Sequence, residues 1–426
     1  MQAPTSRPIP TSDVTSAEID ELAHLSLQVG RLQLLNGADT EQVVTGVQRF
    51  AASFGGQAHL MVSYEALLLT LVAGDHFRTK IGPRLPGMNV GMIALNAVGS
   101  LLDDAENGRL KLADARAKLD TIEHQPSGYS HWLIIVLLGL TAGSLSRLFG
   151  GDWPTFAVTW LAGAAGTWLR LQLNARHFNP VAIPFASACL GGLVGGIAVL
   201  LGASTTPALC LVAPGMILVP GVPLINGMQD MIRNHMTLGL SRLGFATLVT
   251  TAIALGLYVA TLMTGVTISV AEPALFVRVP EDAIFSALAA AGYVFLFNVP
   301  MRMAWACVIC GIASHILRTI CVHAGIDIIT GTLIGALVAG FLAQGFARYF
   351  QAPAAAFAFP GVVAMVPGAY AFRTVIGALQ IANGTADPAL LGDTLSLGIT
   401  VMMMVGGIAV GIAAPALLLA PRRRTL

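Results

Sequence analysis

Charge is scarce in this chain of 426 residues. Only 11% of the residues are Asp, Glu, Lys or Arg, whereas soluble domains carry about 25%. Lysine is absent after residue 130, and no basic patch is interleaved with aromatic side chains, which argues against nucleic-acid binding. The five cysteines lie in apolar stretches, so neither a disulfide framework nor a metal site is expected. These absences exclude an ordinary soluble protein.

Long apolar runs take the place of the missing charge. Hydrophobic residues make up 55% of the chain, and runs of about 18 to 25 residues recur, each long enough to cross a bilayer as a helix. We predict an α-helical polytopic membrane protein with about ten transmembrane helices. The first five span about 132–149, 154–173, 179–202, 206–229 and 238–264, and the second five span about 282–300, 302–321, 326–347, 353–376 and 394–419.

A more polar segment precedes these runs. Residues 1–130 hold 10 basic and 14 acidic side chains, and helical periodicity alternates there with short strand patterns. It has no P-loop, no HExxH motif and no nucleophile–base spacing, so we expect neither a cofactor nor a catalytic residue. The predicted domains are a flexible tail over 1–15, an α+β cytoplasmic domain over 16–130, transmembrane blocks over 131–265 and 281–420, and a basic tail over 421–426.

Two of the apolar runs are interrupted by proline and glycine. Residues 212–230 read VAPGMILVPGVPLINGMQD, and residues 359–373 read FPGVVAMVPGAYAFR. Proline lacks an amide hydrogen and clashes with the preceding turn, so both helices are predicted to break. The two blocks of five spans share this feature at matching places. Because each block has an odd number of spans, we predict inverted repeats whose broken helices meet near the membrane midplane.

The distribution of arginine predicts the orientation. With the N-terminus in the cytoplasm, nine arginines of the apolar part lie on the inner side, and four lie on the outer side, namely Arg147, Arg278, Arg318 and Arg373. This asymmetry agrees with the positive-inside rule. Both termini are therefore predicted to be cytoplasmic.

Several short strings resemble the threonine/serine exporter family of bacterial inner-membrane proteins. In the first half these are LLNGADTEQVV, the PGMN loop and LVPGVPLINGMQDM, and in the second half FNVP, GIASHILR and VPGAYAF. The resemblance covers about residues 20–420, and the chain looks like a fused form of two modules that some members carry separately. It implies export of threonine and serine driven by the proton gradient, while some relatives are associated with dicarboxylates.

The first break supplies one group of candidate site residues. Unwinding at Pro220, Gly221 and Pro223 would free backbone amides for a substrate carboxylate. Asn226 lies one turn further on and could hydrogen-bond the substrate. Asp230 lies on the same helical face and could bind the substrate amine or carry a proton. The alternative is that Asp230 sits at the cytoplasmic end of the span and pairs with Arg233.

The second half supplies a matching group. Pro367 and Gly368 form the corresponding break, and Tyr370 offers a hydroxyl group. Arg373 could bind a carboxylate through two parallel hydrogen bonds, or its side chain could extend to the outer membrane surface. Asn298 could line the same cavity or merely terminate its helix.

Proton coupling could involve a histidine of the seventh span. Histidine titrates near neutral pH, so His315 together with Asp327 could form a proton relay. The alternative is a histidine that is packed and hydrogen-bonded for structural reasons.

Our leading hypothesis is thus a secondary exporter of threonine or serine with proton antiport. Its expected partners are the small-molecule substrate, protons and the lipid bilayer, and the sequence leaves open whether the chain forms a homo-oligomer. One alternative is export of a dicarboxylate such as succinate, since Arg373 and amide-rich helix ends suit carboxylates. Another is a membrane-anchored hydrolase or sensor in which the soluble domain performs the chemistry.

Overall fold

A computed structural model describes residues 16–419 except 75, 86, 88, 127, 267, 269, 271–276, 385 and 386. The predicted tails over 1–15 and 421–426 lie outside the described residues. The chain divides into two compact units. The first comprises Met1–Pro126 and Arg233–Leu238, and the second comprises Ser127–Ile232 and Gly239–Leu426.

The first unit combines helices with a small sheet, as the sequence predicted. Its elements are α1 (Ser16–Leu35), α2 (Thr40–Ser53), β1 (Gln57–Val62), β2 (Leu67–Ala73), β3 (His76–Ile81), α3 (Met92–Glu106) and α4 (Leu112–Glu123). The strands form an antiparallel sheet in the order β1-β2-β3, with Gln57 opposite Val72 and Leu68 opposite Ile81. Side chains of a strand alternate between faces, so Leu67, Leu69 and Leu71 of β2 all enter the core.

The segment Arg233–Leu238 is remote in sequence but belongs to this first unit. Leu238 joins the same hydrophobic core. The Asp39 side chain caps α2 by accepting a hydrogen bond from the amide of Gln42 at 2.8 Å. Its other carboxylate oxygen lies 3.0 Å from Nη1 of Arg233. One carboxylate thus satisfies a helix terminus and an arginine together.

The rest of the chain is helical wherever the structure describes regular elements. The helices are α5 (His131–Leu148), α6 (Trp153–Ala175), α7 (Ala182–Leu200), α8 (Pro207–Met216), α9 (Gly221–Ile232), α10 (Met236–Thr264), α11 (Val279–Leu296), α12 (Ala304–His323), α13 (Ile328–Phe350), α14 (Ala355–Val362), α15 (Gly368–Ala382) and α16 (Pro388–Leu419).

Among the described residues, seven of these helices are long and apolar enough to cross a membrane, and up to nine spans result if each bent pair counts as one. The chain is therefore a polytopic membrane protein. The second predicted span, at about 154–173, forms helix α6, which is 23 residues long but is not among the helices apolar enough to count as a span. Its threonines and Arg170 make it less apolar than its neighbours.

Glycines bring several of these helices into close contact. A Cβ atom built on Gly335 of α13 would lie 2.5 Å from the carbonyl oxygen of Ser314 in α12, and one on Gly411 of α16 would lie 2.6 Å from Cβ of Ala336. Larger side chains would separate these backbones. Small residues at such crossings are typical of packed membrane helices.

Candidate functional site

The first predicted break separates α8 from α9. The two helices are bent by 62° relative to each other, and the chain turns over residues 217–220. Pro220 directly precedes the first residue of α9, Gly221. Pro223 lies in the first turn of α9, where the missing amide hydrogen leaves no intrahelical bond unmade. The proline spacing therefore both ends one helix and permits the next to begin.

The second predicted break separates α14 from α15. A 3₁₀ turn over Val363–Met365 follows α14, and Pro367 directly precedes α15, which begins at Gly368. The bend between the two helical parts is 49°. Both proline–glycine clusters thus break their helices, as predicted.

The two breaks pack directly against each other. A Cβ atom built on Gly368 would lie 2.8 Å from Cγ2 of Val219, and one built on Gly221 would lie 3.4 Å from methyl groups of Val363 and Val366. The two broken helices are therefore in contact, as predicted, while their position at the membrane midplane stays a prediction. Gly368 allows this approach because it carries no side chain, whereas a Cβ atom on Gly221 would make only ordinary van der Waals contact.

Asp230 lies in α9 and is fully buried, with 0% of its surface exposed. Its Oδ2 accepts a hydrogen bond from Nη1 of Arg242 at 2.8 Å, and Arg242 is itself 2% exposed. The alternative pairing of Asp230 with Arg233 is wrong, because Arg233 contacts Asp39. The turn after α9 brings α10 back alongside it and so delivers Arg242 to the acid.

Two cavities lie beside the second break, and neither is lined by Asn226 or Asp230. The smaller one has a volume of about 200 Å³ and is mostly apolar, with a few hydroxyl groups. Its lining includes residues from both breaks and from α10 and α16, among them Val219, Leu224, Thr247, Thr250, Val366, Pro367, Thr374, Val401 and Val405.

The larger cavity has a volume of about 300 Å³ and carries the charged groups. Its lining includes Asp282 from α11, Arg318 and Thr319 from α12, and Tyr370 and Arg373 from α15. Arg373 is only 8% exposed, so its guanidinium does not extend to the surface as the alternative interpretation supposed. The sequence-predicted residues Pro367, Tyr370 and Arg373 therefore share one cavity, whereas Gly368 lies at the crossing.

The acid of this cavity is held by two residues of α12. Oδ2 of Asp282 accepts a hydrogen bond from the hydroxyl group of Thr319 at 2.6 Å. Oδ1 lies 3.4 Å from Nδ1 of His315. Nη2 of Arg318 lies 3.2 Å from the same ring nitrogen. Asp282 and His315 are each 1% exposed, so this is a buried cluster at the wall of a cavity.

The predicted relay between His315 and Asp327 is wrong about the acid. Asp327 is the N-cap of α13, where Oδ1 accepts hydrogen bonds from the amides of Ile329 and Thr330 at 3.0 and 2.9 Å. The acid beside His315 is Asp282. Our sequence reasoning missed Asp282, although an acid at the edge of an apolar span was a usable signal.

Asn298 terminates its helix, as the structural alternative held. It follows the C-terminus of α11 with a φ of 50°, and this left-handed conformation is one that asparagine tolerates. Its Oδ1 accepts a hydrogen bond from the amide of Gly128 at 3.0 Å. Neither of the two cavities is lined by Asn298.

Comparison with known proteins identifies the family. A model of threonine/serine exporters (ThrE) matches residues 24–264, and a second one, "Threonine/Serine exporter, ThrE", matches residues 282–418. The chain belongs to the threonine/serine exporter family. Both of its family modules lie in one polypeptide, so it is a fused member, and the family is one of membrane transporters rather than enzymes.

Three curated relatives carry two kinds of name. The chain is 27% identical to the "Probable succinate transporter subunit YjjP" of Klebsiella aerogenes, over 57% of this chain and 94% of that protein. It is 26% identical to the protein of the same name in Escherichia coli K12, over 57% and 95%. It is 25% identical to the "Probable threonine/serine exporter" of Mycobacterium tuberculosis H37Rv, over 90% and 78%. No solved structure matches the chain.

Proposed function

We propose that this member of the exporter family is a secondary transporter that moves threonine or serine out of the bacterial cytoplasm in exchange for protons. The proposal rests mainly on the larger cavity, which presents Arg318, Arg373 and Asp282 together. A zwitterionic amino acid carries one carboxylate and one ammonium group. The guanidinium groups complement the first and the aspartate complements the second.

The cavity adjoins a bent helix pair, which is what a transport site requires. Discontinuous helices at a binding site let one part of the structure move against another. Pro367 lines both cavities, so a movement at the second break would alter both. We place the substrate against Tyr370 and Arg373, and the moving contact at Gly221 and Gly368, where the two breaks pack together.

The membrane orientation is part of the same proposal. With both termini in the cytoplasm of the bacterial inner membrane, Arg318 and Arg373 lie in the outer half. The cavity, which Thr206 and His323 also line, would then lie towards the side of release. The inverted relation of the two five-span blocks remains a prediction, supported by the bend in one helix pair of each block.

The experiment is a flux assay with the full chain reconstituted in lipid vesicles. Labelled threonine inside the vesicles should exchange with external threonine or serine, and an imposed proton gradient should drive its net movement. Collapse of net movement on adding a protonophore is the expected result. Net movement that persists unchanged with the protonophore contradicts proton antiport.

A dicarboxylate such as succinate is the second candidate substrate. Two guanidinium groups in one cavity could bind its two carboxylates, and the relatives from Klebsiella aerogenes and Escherichia coli are named as succinate transporter subunits. Competition separates the candidates: unlabelled serine should reduce threonine exchange strongly and succinate should not. The reverse order would favour the dicarboxylate.

A further inference from the structure

One nitrogen atom of the larger cavity's buried cluster has two competing partners. Nδ1 of His315 lies 3.4 Å from Oδ1 of Asp282 and 3.2 Å from Nη2 of Arg318. A protonated Nδ1 can donate to the carboxylate but cannot accept from the guanidinium. An unprotonated Nδ1 can accept from Arg318 but has nothing to donate to Asp282. The two contacts therefore belong to different states of the ring, one with a proton on Nδ1 and one without it.

The two oxygen atoms of the Asp282 carboxylate differ in their partners. Its Oδ2 is occupied by the hydroxyl group of Thr319 at 2.6 Å. Among the residues that the structure describes, its Oδ1 has only the longer approach to His315, and Asp282 also lines the cavity. A cation that enters the cavity can therefore take the position at Oδ1 that the protonated imidazole would otherwise occupy.

We infer that Asp282 and His315 form one exchange site that holds either a proton or the ammonium group of the substrate, while Arg318 and Arg373 hold the substrate carboxylate. This inference rests on the proposed exchange of an amino acid for protons. One positive charge replaces another at the pair, so each state is balanced. Because the proton and the ammonium group exclude each other, binding of the proton lowers the affinity for the amino acid. Binding of the amino acid lowers the affinity for the proton by the same factor.

Release of the proton has a further consequence for Arg318. Once Nδ1 of His315 has lost its proton, it can accept a hydrogen bond from this guanidinium. The arginine is then fixed next to the vacated carboxylate, where the carboxylate and ammonium groups of one amino acid can bind side by side. The unprotonated cluster is thus arranged for a zwitterion.

A dicarboxylate would respond to protons in the opposite sense. It has no ammonium group to compete for Asp282, and a proton on the pair adds positive charge beside Arg318 and Arg373. Acidification would then strengthen binding of a dianion and weaken binding of an amino acid. The sign of the pH dependence therefore reports the class of substrate.

Other charged groups face the same region. His323, Tyr370, Arg318 and Arg373 line the cavity with Asp282. Next to Asp282, Glu281 pairs with Arg147 of α5 at 3.5 Å, and Arg147 lies 4.7 Å from the ring centre of Trp153. Asp327 caps α13. His323 is the imidazole that lines the cavity itself, so its effect has to be separated from that of His315.

The test measures threonine binding to the purified full chain by calorimetry from about pH 5.5 to about pH 8. We expect the affinity to fall by up to about tenfold per pH unit as the pair takes up its proton. Asp282→Asn should weaken binding about tenfold or more and remove the pH dependence. His323→Gln and Asp327→Asn are matched controls, and both should keep the wild-type slope.

The results that would contradict the exchange site differ from those that would also contradict the proposed substrate. Wild-type slope in Asp282→Asn, or loss of the slope in His323→Gln, overturns it while leaving amino-acid export intact. Succinate binding that strengthens in acid, without threonine binding, overturns both the exchange site and the proposed substrate. If Asp282→Asn does not fold, His315→Gln gives a second test, because removal of the ring nitrogen must shift the pH at which affinity falls. An unchanged midpoint in that variant also contradicts the inference.

Discussion

Asp230 and Asp282 are both buried acids of the second unit, with exposed fractions of 0% and 1%, but their surroundings differ. Asp230 is bonded to Arg242, which is equally buried, and it lines neither of the two cavities. Asp282 is bonded to a hydroxyl group, approaches a histidine and forms part of a cavity wall. The first acid has a permanent counter-ion, whereas the partners of the second can change with protonation.

This contrast shows why burial alone does not identify a transport residue. An acid in an apolar span is by default a candidate for a role in transport, and both Asp230 and Asp282 meet this description. A buried ion pair with good geometry is stable only while both partners remain. We therefore assign Asp230 to holding α9 against α10, and Asp282 to binding and exchange. Substitutions at these acids and at neighbouring residues test this division.

The largest effect is expected from breaking the buried ion pair of Asp230 and Arg242. Asp230→Ala leaves the Arg242 guanidinium buried without its carboxylate, which should cost about 3–5 kcal/mol of stability. Thermal unfolding of the full chain in detergent measures this loss. The double variant Asp230→Leu with Arg242→Met removes both charges and should recover most of the stability. If that variant folds but carries no threonine, Asp230 takes part in transport and the division fails.

A smaller effect is expected at Arg373, whose substitution should lower the affinity for threonine rather than the stability of the protein. Arg373→Gln removes a charged hydrogen-bond donor, which typically contributes about 1.5–3 kcal/mol, or roughly 10- to 150-fold in binding. Arg373→Lys keeps the charge but loses the paired geometry, so it should recover only part of the affinity. The exposed Arg302 provides the control: Arg302→Gln should bind like the wild type. Equal losses at both positions would point to a general effect of charge.

Gly368 and Gly221, which lie where the two breaks pack together, are expected to tolerate substitution by alanine differently. A Cβ atom on Gly368 would lie 2.8 Å from Val219, whereas one on Gly221 would lie 3.4 Å from its nearest neighbours. Gly368→Ala should therefore be destabilising by about 1–3 kcal/mol through overpacking. Gly221→Ala should change stability little. Thermal unfolding of the two variants measures the difference, and equal effects would contradict the observed packing.

The smallest effect is expected at a third acid, Asp152, the N-cap of α6. Burial tends to raise the pKa of Asp152, but hydrogen bonds from Thr155 and Thr205 outweigh it and hold that pKa well below the usual range. A depressed pKa means that its stabilising contribution is complete above about pH 4 and is lost only as pH falls towards the folded value.

Asp152 therefore controls for pH effects unrelated to the exchange site. It stays ionised throughout the neutral and mildly acidic range, so Asp152→Asn should leave the slope of threonine affinity against pH unchanged. A slope altered by this substitution would show that the loop between α5 and α6, rather than Asp282, responds to protons. Binding calorimetry over the same pH series provides the measurement.

The sequence was sufficient for features that depend on local chemistry. Apolar length placed the helices within a few residues of their observed bounds, and α10 (Met236–Thr264) and α13 (Ile328–Phe350) are examples. The breaks before Gly221 and Gly368 followed from proline, because the missing amide hydrogen acts on its own helix. Tyr370 and Arg373 were found because they directly follow the second break.

Only the tertiary structure decided which charged groups meet. From sequence, Asp327 was the obvious partner for His315, yet helix packing places Asp282 of α11 beside it. Arg233 lies closer to Asp230 in sequence than Arg242 does, but the turn after α9 directs Arg233 to Asp39. Proline acts within its own helix, whereas an ion pair depends on how separate helices are rotated and aligned against each other. The sequence therefore determined where the helices span and break, and the fold selected the acid that faces the cavity.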